Sequence, residues 1–191
     1  MTYTLETIIR DARIALGLNP QAEPAWQADA ECRQLTPEMK IKLMLEEAAR
    51  DTCRKAEDAE LAECALPLPT RAYFHTEHSG KIALPEDYMR LCAFRMDDWE
   101  QPATSTIEPH SEAYRMQYSR YAGLRGNPQR PACAVVCDAA GVTLEFYGCK
   151  SRGAKVAQGM YYPYPSIRDG ALTNMPQALY GKMLERLKEI I

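Results

Sequence analysis

The sequence predicts an α+β fold: N- and C-terminal helices packed as a small bundle, with a central β-rich insertion of hairpins and antiparallel sheet. Three observations predict it. Apolar residues recur at helical spacing near both ends, at Leu5, Ile8, Ile9, Ala12 and Leu16, and again at Tyr180, Met183, Leu184, Leu187, Ile190 and Ile191. Between these ends the helical period gives way to short alternating or apolar runs bounded by Gly, Pro, Asn and Asp. The change begins at Leu66-Pro-Leu-Pro69, which cannot lie inside a helix. The 191 residues are expected to form a single domain over 1–191, helical over 1–65 and 172–191 and β-rich over 66–171.

The elements follow in order. The first helical stripe ends at Gly17 and Asn19-Pro20, residues that commonly stop a helix. A short helix is expected around Trp26 to Arg33. The next helix carries the fullest start signal: Thr36 as N-cap, Pro37 in the first turn and Glu38 where a carboxylate meets the positive end of the helix dipole. Ile41, Met44, Leu45, Ala48, Ala49 and Thr52 line one face of it, and it should run to about Ala56 or beyond. Arg71–His75 and Lys81–Leu84 read as strands of a hairpin around Thr76-Glu-His-Ser-Gly80. Pro85-Glu-Asp starts a brief helical turn before a largely apolar Met89–Met96. Pro109–Tyr121 reads as a short helix with Tyr114, Tyr118 and Tyr121 near one face, followed by a loop from Gly123 to Pro131. Ala132–Val136 and Val142–Tyr147 form a strand pair joined through Asp138-Ala-Ala-Gly141. Lys155–Tyr164 adds a strand with aromatic content, and Asn174 is expected to cap the final helix with Pro176 in its first turn.

Composition narrows the function classes. The formal net charge of −3 argues against a protein whose main task is to grip nucleic acid, because that binding rests on Lys and Arg density. Arg115, Arg120, Arg125 and Arg130 nevertheless recur through one segment, with Lys150, Arg152 and Lys155 after it, so a locally basic face toward a polyanion or an acidic partner is compatible. The seven cysteines are odd in number and follow no secretory signal, and they read as reduced core residues of a cytosolic protein. No apolar run approaches the length that crosses a bilayer, and no membrane role is expected.

Catalytic and metal chemistry find little footing. His75 and His78, with Cys133 and Cys137, offer H-x-x-H and C-x-x-x-C spacings, but cysteines four apart on a strand lie too far apart to chelate readily. No local signature of a nucleophilic thiol surrounds any cysteine. The carboxylate pairs Glu46/Glu47, Glu86/Asp87 and Asp97/Asp98 are adjacent residues that do not share a face. Neither Gly123-Leu-Arg-Gly126 nor Gly148 to Gly159 has the strand-loop-helix context of a phosphate-binding loop. No catalytic residue, cofactor or metal is therefore expected. The run Tyr161-Tyr-Pro-Tyr164 reads either as strand core or as a contact surface, since Tyr combines a large contact area with a polar tip.

An ordered set of features carries a resemblance. Leu84-Pro-Glu-Asp-Tyr88-Met-Arg-Leu91 follows a helical region and a hairpin. Ser111-x-x-Tyr114-x-x-Gln117 and Gly126-x-Pro128 come next, then an apolar strand over Val142–Tyr147, a Tyr- and Pro-containing strand and a terminal helix. In this order the chain resembles the head-to-tail connector (neck or tail-adaptor) proteins of tailed bacteriophages and prophages. It departs from them in its cysteine count and in the long Arg115–Arg130 segment. The resemblance implies a non-catalytic virion protein that docks on the portal ring, closes a homo-oligomeric ring, extends the DNA channel and presents a surface to a tail component. It would be cytoplasmic in the host cell before assembly and would lie in the virion neck afterwards, possessing a monomeric or dimeric form in isolation. Partner contacts are then expected at Tyr161, Tyr162 and Tyr164 of the Tyr-Pro strand, and at Met183, Leu187, Ile190 and Ile191 of a terminal helix that moves on assembly or simply packs on the first helix. Arg115, Arg120, Arg125 and Arg130 are the candidates for a channel lining. Two other classes remain open: a protein-binding module of a mobile element outside the virion, and a small Cys- or metal-dependent enzyme.

Overall fold

A computed structural model describes residues 2–18, 36–138 and 141–191. Its helices are α1 (Leu5–Ala15), α2 (Pro37–Lys55), α3 (Asp58–Leu61), α4 (Glu112–Met116) and α5 (Gln177–Ile190). Its strands are β1 (Tyr3–Thr4), β2 (Leu66–Pro67), β3 (Tyr73–Phe74), β4 (Ser79–Ala83), β5 (Tyr88–Met96), β6 (Ala132–Asp138), β7 (Gly141–Tyr147), β8 (Val156–Pro163), β9 (Ser166–Arg168) and β10 (Ala171–Thr173). The fold is α+β, with antiparallel pairing in the named sheets and helices at the two ends of the sequence. The chain divides into two compact units, one of Met1–Cys64 with Tyr164–Ile191 and one of Ala65–Pro163. The expected helix over Trp26–Arg33 lies outside the described residues, as do Ala139 and Ala140 of the expected β6–β7 connection.

In the first unit, α1, α2 and α5 pack on one another beside the small sheet β1-β10-β9. Thr4 caps α1, and Gly17, at φ +70°, closes it with bonds from Gly17 N–H to Ile14 O and from Leu18 N–H to Arg13 O. This is the left-handed termination that the glycine permits. Thr36 caps α2 by accepting the Met39 N–H, and Pro37 occupies the first turn. Thr36→Ala is expected to lower stability by about 1 kcal/mol, with Thr36→Ser close to wild type, as measured by urea unfolding. Ile8, Ile41, Leu45, Leu179, Met183 and Leu187 supply the buried apolar faces. Tyr3 stacks on Tyr180 with ring centroids 4.4 Å apart, and the Tyr180 hydroxyl donates to Asp11. Arg186 pairs with Asp51, and Lys182 with Glu60, so charged rims flank the α5 contact.

The start of α5 differs from expectation. Asn174 has φ +58°, whereas an N-cap needs extended backbone, and Pro176 takes the cap position without a side-chain bond of its own. The Gln177 N–H is instead taken by the Glu63 carboxylate, 114 residues earlier. This long-range cap satisfies one of the donors that a helix start exposes.

The second unit is two antiparallel sheets, β2-β8-β5 and β3-β4-β7-β6, over one apolar core. Strand periodicity builds it: Leu144 and Phe146 of β7 enter the core, while Glu145 and Tyr147 point to the opposite face. Phe94 of β5 meets Phe146 across the sheets at 5.7 Å and Trp99 at 5.6 Å. Met89–Met96 is most of β5, and it pairs with β8 through several register shifts. The expected strand over Arg71–His75 shortens to Tyr73–Phe74, and Pro85-Glu-Asp forms a single turn closed by the Tyr88 N–H on Pro85 O.

Candidate functional site

The outer face of β7 carries the most developed side-chain constellation in the second unit. Glu145 Oε2 accepts hydrogen bonds from the hydroxyls of Tyr114 (2.9 Å), Tyr118 (3.3 Å) and Tyr147. The three phenols also contact one another, with Tyr118 Oη 3.0 Å from Tyr114 Oη and 3.1 Å from Tyr147 Oη. Their rings meet edge to face, an arrangement that aromatic quadrupoles favour. Burial, followed by hydrogen bonding within the cluster, pushes the phenols of Tyr114 and Tyr147 well above the ordinary tyrosine range. These hydroxyls stay protonated and act as donors to the carboxylate.

The 111–130 segment is held over this face by identifiable ties. Ser111 caps α4 by accepting the Tyr114 N–H. Gln117 donates to Ala113 O (3.0 Å) and accepts the Gly126 N–H (2.7 Å), so one side chain ends α4 and fastens the loop that follows. Asn127 Oδ1 accepts the N–H groups of Gln129 and Arg130. The expected helix to Tyr121 therefore stops at Met116. Tyr114 and Tyr118 do converge, but Tyr121 lies beyond the helix under the Arg120 guanidinium, 4.9 Å from its ring centre.

Between this segment and the β3–β4 hairpin lies a cavity of about 770 Å³. His75, His78, Tyr118, Arg125, Tyr147 and Lys150 are among its walls. His78 Nδ1 stands 2.9 Å from Cys149 O and must donate to it, because a carbonyl can only accept. The His78 carbonyl takes the N–H groups of Gly148 and Cys149. The hairpin is thereby stitched to the end of β7.

The sequence-predicted residues separate into several settings. His75 and His78 sit at the hairpin, Cys133 is buried in the core and Cys137 is exposed. Among the described residues no group of three or more His, Cys, Asp or Glu side chains is placed to hold a metal ion. Tyr161 and Tyr162 are buried: Tyr161 donates to Asp87 and stacks on Tyr88, and Tyr162 lies under Arg90. Tyr164, in the other unit, is covered by Arg50 and Arg54. Met183 and Leu187 are core residues at 0% and 1% exposure, so in this conformation they present no surface. Ile190 is half-buried and Ile191 exposed. Arg115, Arg120 and Arg130 are exposed, and Arg125 is half-buried in the cavity wall. Sequence reading did not single out Glu145 or Tyr147 as site residues. Their alternation with Leu144 and Phe146 is the available signal.

Burial raises the thiol pKa values of Cys64, Cys133 and Cys149, the last to about 12. Unfolding returns each thiol to about 8.5, so the unfolded state releases protons first as pH rises. Stability from these groups is intact below about pH 8 and falls progressively as pH climbs toward the folded values. The melting temperature should decline over that alkaline range. At pH 8, iodoacetamide should modify Cys137 in the native protein, with Cys133 and Cys149 reacting only after denaturation; rapid native labelling of Cys149 would contradict this.

No protein-family model matches the chain, and no curated protein matches it. Among the described residues no helix is long and apolar enough to cross a membrane.

Proposed function

We propose that the chain is a non-catalytic adaptor of the phage head-to-tail connector type, which docks on a portal ring, forms a ring of its own copies and offers a surface to a tail component. The observation that supports this most is the layout. Both ends of the sequence contribute to one helical unit, while residues 65–163 form a separate β-rich unit, the same order of helical ends and β-rich centre on which the resemblance rests. The residues that carry the resemblance also have constructional partners. Ser111 caps α4, Tyr114 bonds Glu145, Gln117 ties Gly126, and Asp87 accepts from Tyr161. Such residues shape a scaffold and need no substrate. The thiols of Cys64, Cys133 and Cys149 are held protonated, which weighs against their use as nucleophiles. Ile190 and Ile191, at the end of α5, remain the partner-facing candidates of that helix. Mixing the protein with cognate portal rings and imaging by electron microscopy tests the reading. Added density at the tail-facing end of the portal is expected, and undecorated portals at saturating protein would overturn it.

A further inference from the structure

From the cavity beside Glu145 we infer a second role that the adaptor reading does not require: a binding site for a compact aromatic anion, an aryl phosphate or aryl carboxylate. The volume of about 770 Å³ lies in the range of small-molecule sites. The walls combine two chemistries. They include the rings of Tyr118 and Tyr147, 6.0 Å apart between centroids, with Tyr118 exposed at 65%. An exposed aromatic ring held in place by its own hydroxyl offers a fixed surface for another ring. They also include Arg125 and Lys150, which make no ion pair among the described residues. A cation facing a cavity without a carboxylate partner is suited to an anionic group through charge-assisted hydrogen bonds. His78 adds a ring whose Nδ1–H is committed to Cys149 O, which fixes its orientation in the wall.

Among the described residues Glu145 is the one carboxylate in the wall, and the structure limits its effect. Its Oε2 already accepts hydrogen bonds from three phenols, which stabilise the carboxylate within the cluster. The ligand's ring then belongs beside the tyrosines and its anion beside Arg125 and Lys150. An anion placed beside the tyrosine hydroxyls would instead meet the like charge of Glu145. A cationic aromatic is disfavoured because Arg125 and Lys150 repel it.

The full chain can be titrated with phenyl phosphate, benzyl alcohol, benzylamine and inorganic phosphate, following backbone amide and tyrosine ring signals by NMR. Phenyl phosphate is expected to shift the signals of Tyr118, Tyr147, Gly126 and His78 saturably. It should bind about tenfold or more tightly than benzyl alcohol or inorganic phosphate, and weaken as salt is raised. The double variant Arg125→Ala/Lys150→Ala should lose about tenfold or more in affinity, and Arg125→Lys/Lys150→Arg should recover most of it. Wild-type discrimination among the four probes does not depend on any variant folding. Benzylamine binding as well as phenyl phosphate, inorganic phosphate binding equally well, or no saturable shift at millimolar phenyl phosphate would each overturn the inference. Portal decoration is a separate measurement, so failure here leaves the adaptor reading to its own test.

Discussion

Phe146→Ala is expected to lower folding stability by about 3–5 kcal/mol, among the larger losses that a single truncation in this chain can produce. The side chain is fully buried and lies between the two sheets of the β-rich unit. It meets Phe74 edge to face at 5.4 Å and Phe94 at 5.7 Å, so its removal empties a space that two aromatic rings flank. The register explains why the space cannot collapse readily. Phe146 pairs with Gly80 on β4 and Cys133 on β6, and a Cβ on Gly80 would stand 2.6 Å from the Phe146 ring. The ring fills the room that the glycine leaves, and the ladders on both sides of β7 hold the backbone where it is. Phe146→Leu keeps most of the volume and should cost less, about 1–2 kcal/mol. Urea unfolding of both variants checks the order. A loss below about 1 kcal/mol for the alanine variant would mean that the two sheets do not share a rigid core.

The contrast between the helices and the site shows what a linear reading can reach. Thr36, Pro37 and Glu38 act within one turn, and the structure uses Thr36 and Pro37 as the sequence order implies. Leu144 and Phe146 announce a core face through strict alternation. The start of α5 was not legible, because its capping carboxylate comes from Glu63 and Asn174 turns into the left-handed region instead. The cavity was hidden for the same reason. Glu145 meets Tyr114 across 31 residues, and His78 meets Cys149 across 71, and nothing local to either residue signals the pairing. The Ser111, Tyr114 and Gln117 spacing was visible as a pattern. Its purpose became plain only when Gln117 was seen to hold Gly126 and Tyr114 to reach β7. Spacing therefore identified the parts that fasten the 111–130 segment, whereas the face to which it is fastened depended on tertiary pairing.

Gly148→Ala tests that fastening directly, with an expected loss of about 2–5 kcal/mol. Two costs combine at this position. Its φ of +110° lies in a region that a side-chain-bearing residue rarely adopts. An added Cβ would also stand 2.9 Å from the carbonyl carbon and oxygen of Asn127 and 3.0 Å from its nitrogen, all backbone atoms that cannot rotate away. Either β7 or the Gly126–Pro128 loop must move. Movement of β7 strains the Gly148 N–H bond to His78 O, and movement of the loop strains the Gln117 bond to Gly126. Both bonds frame the cavity, so the same substitution should weaken phenyl phosphate binding even at temperatures where the variant remains folded. Gly123→Ala supplies the control: its φ is not in the positive region, and an added Cβ meets nothing within 4 Å. It should change stability by no more than about 1 kcal/mol. Urea midpoints of the two variants, measured together, decide the matter, and equal midpoints would show that the close approach of Asn127 to Gly148 does not hold the segment in place.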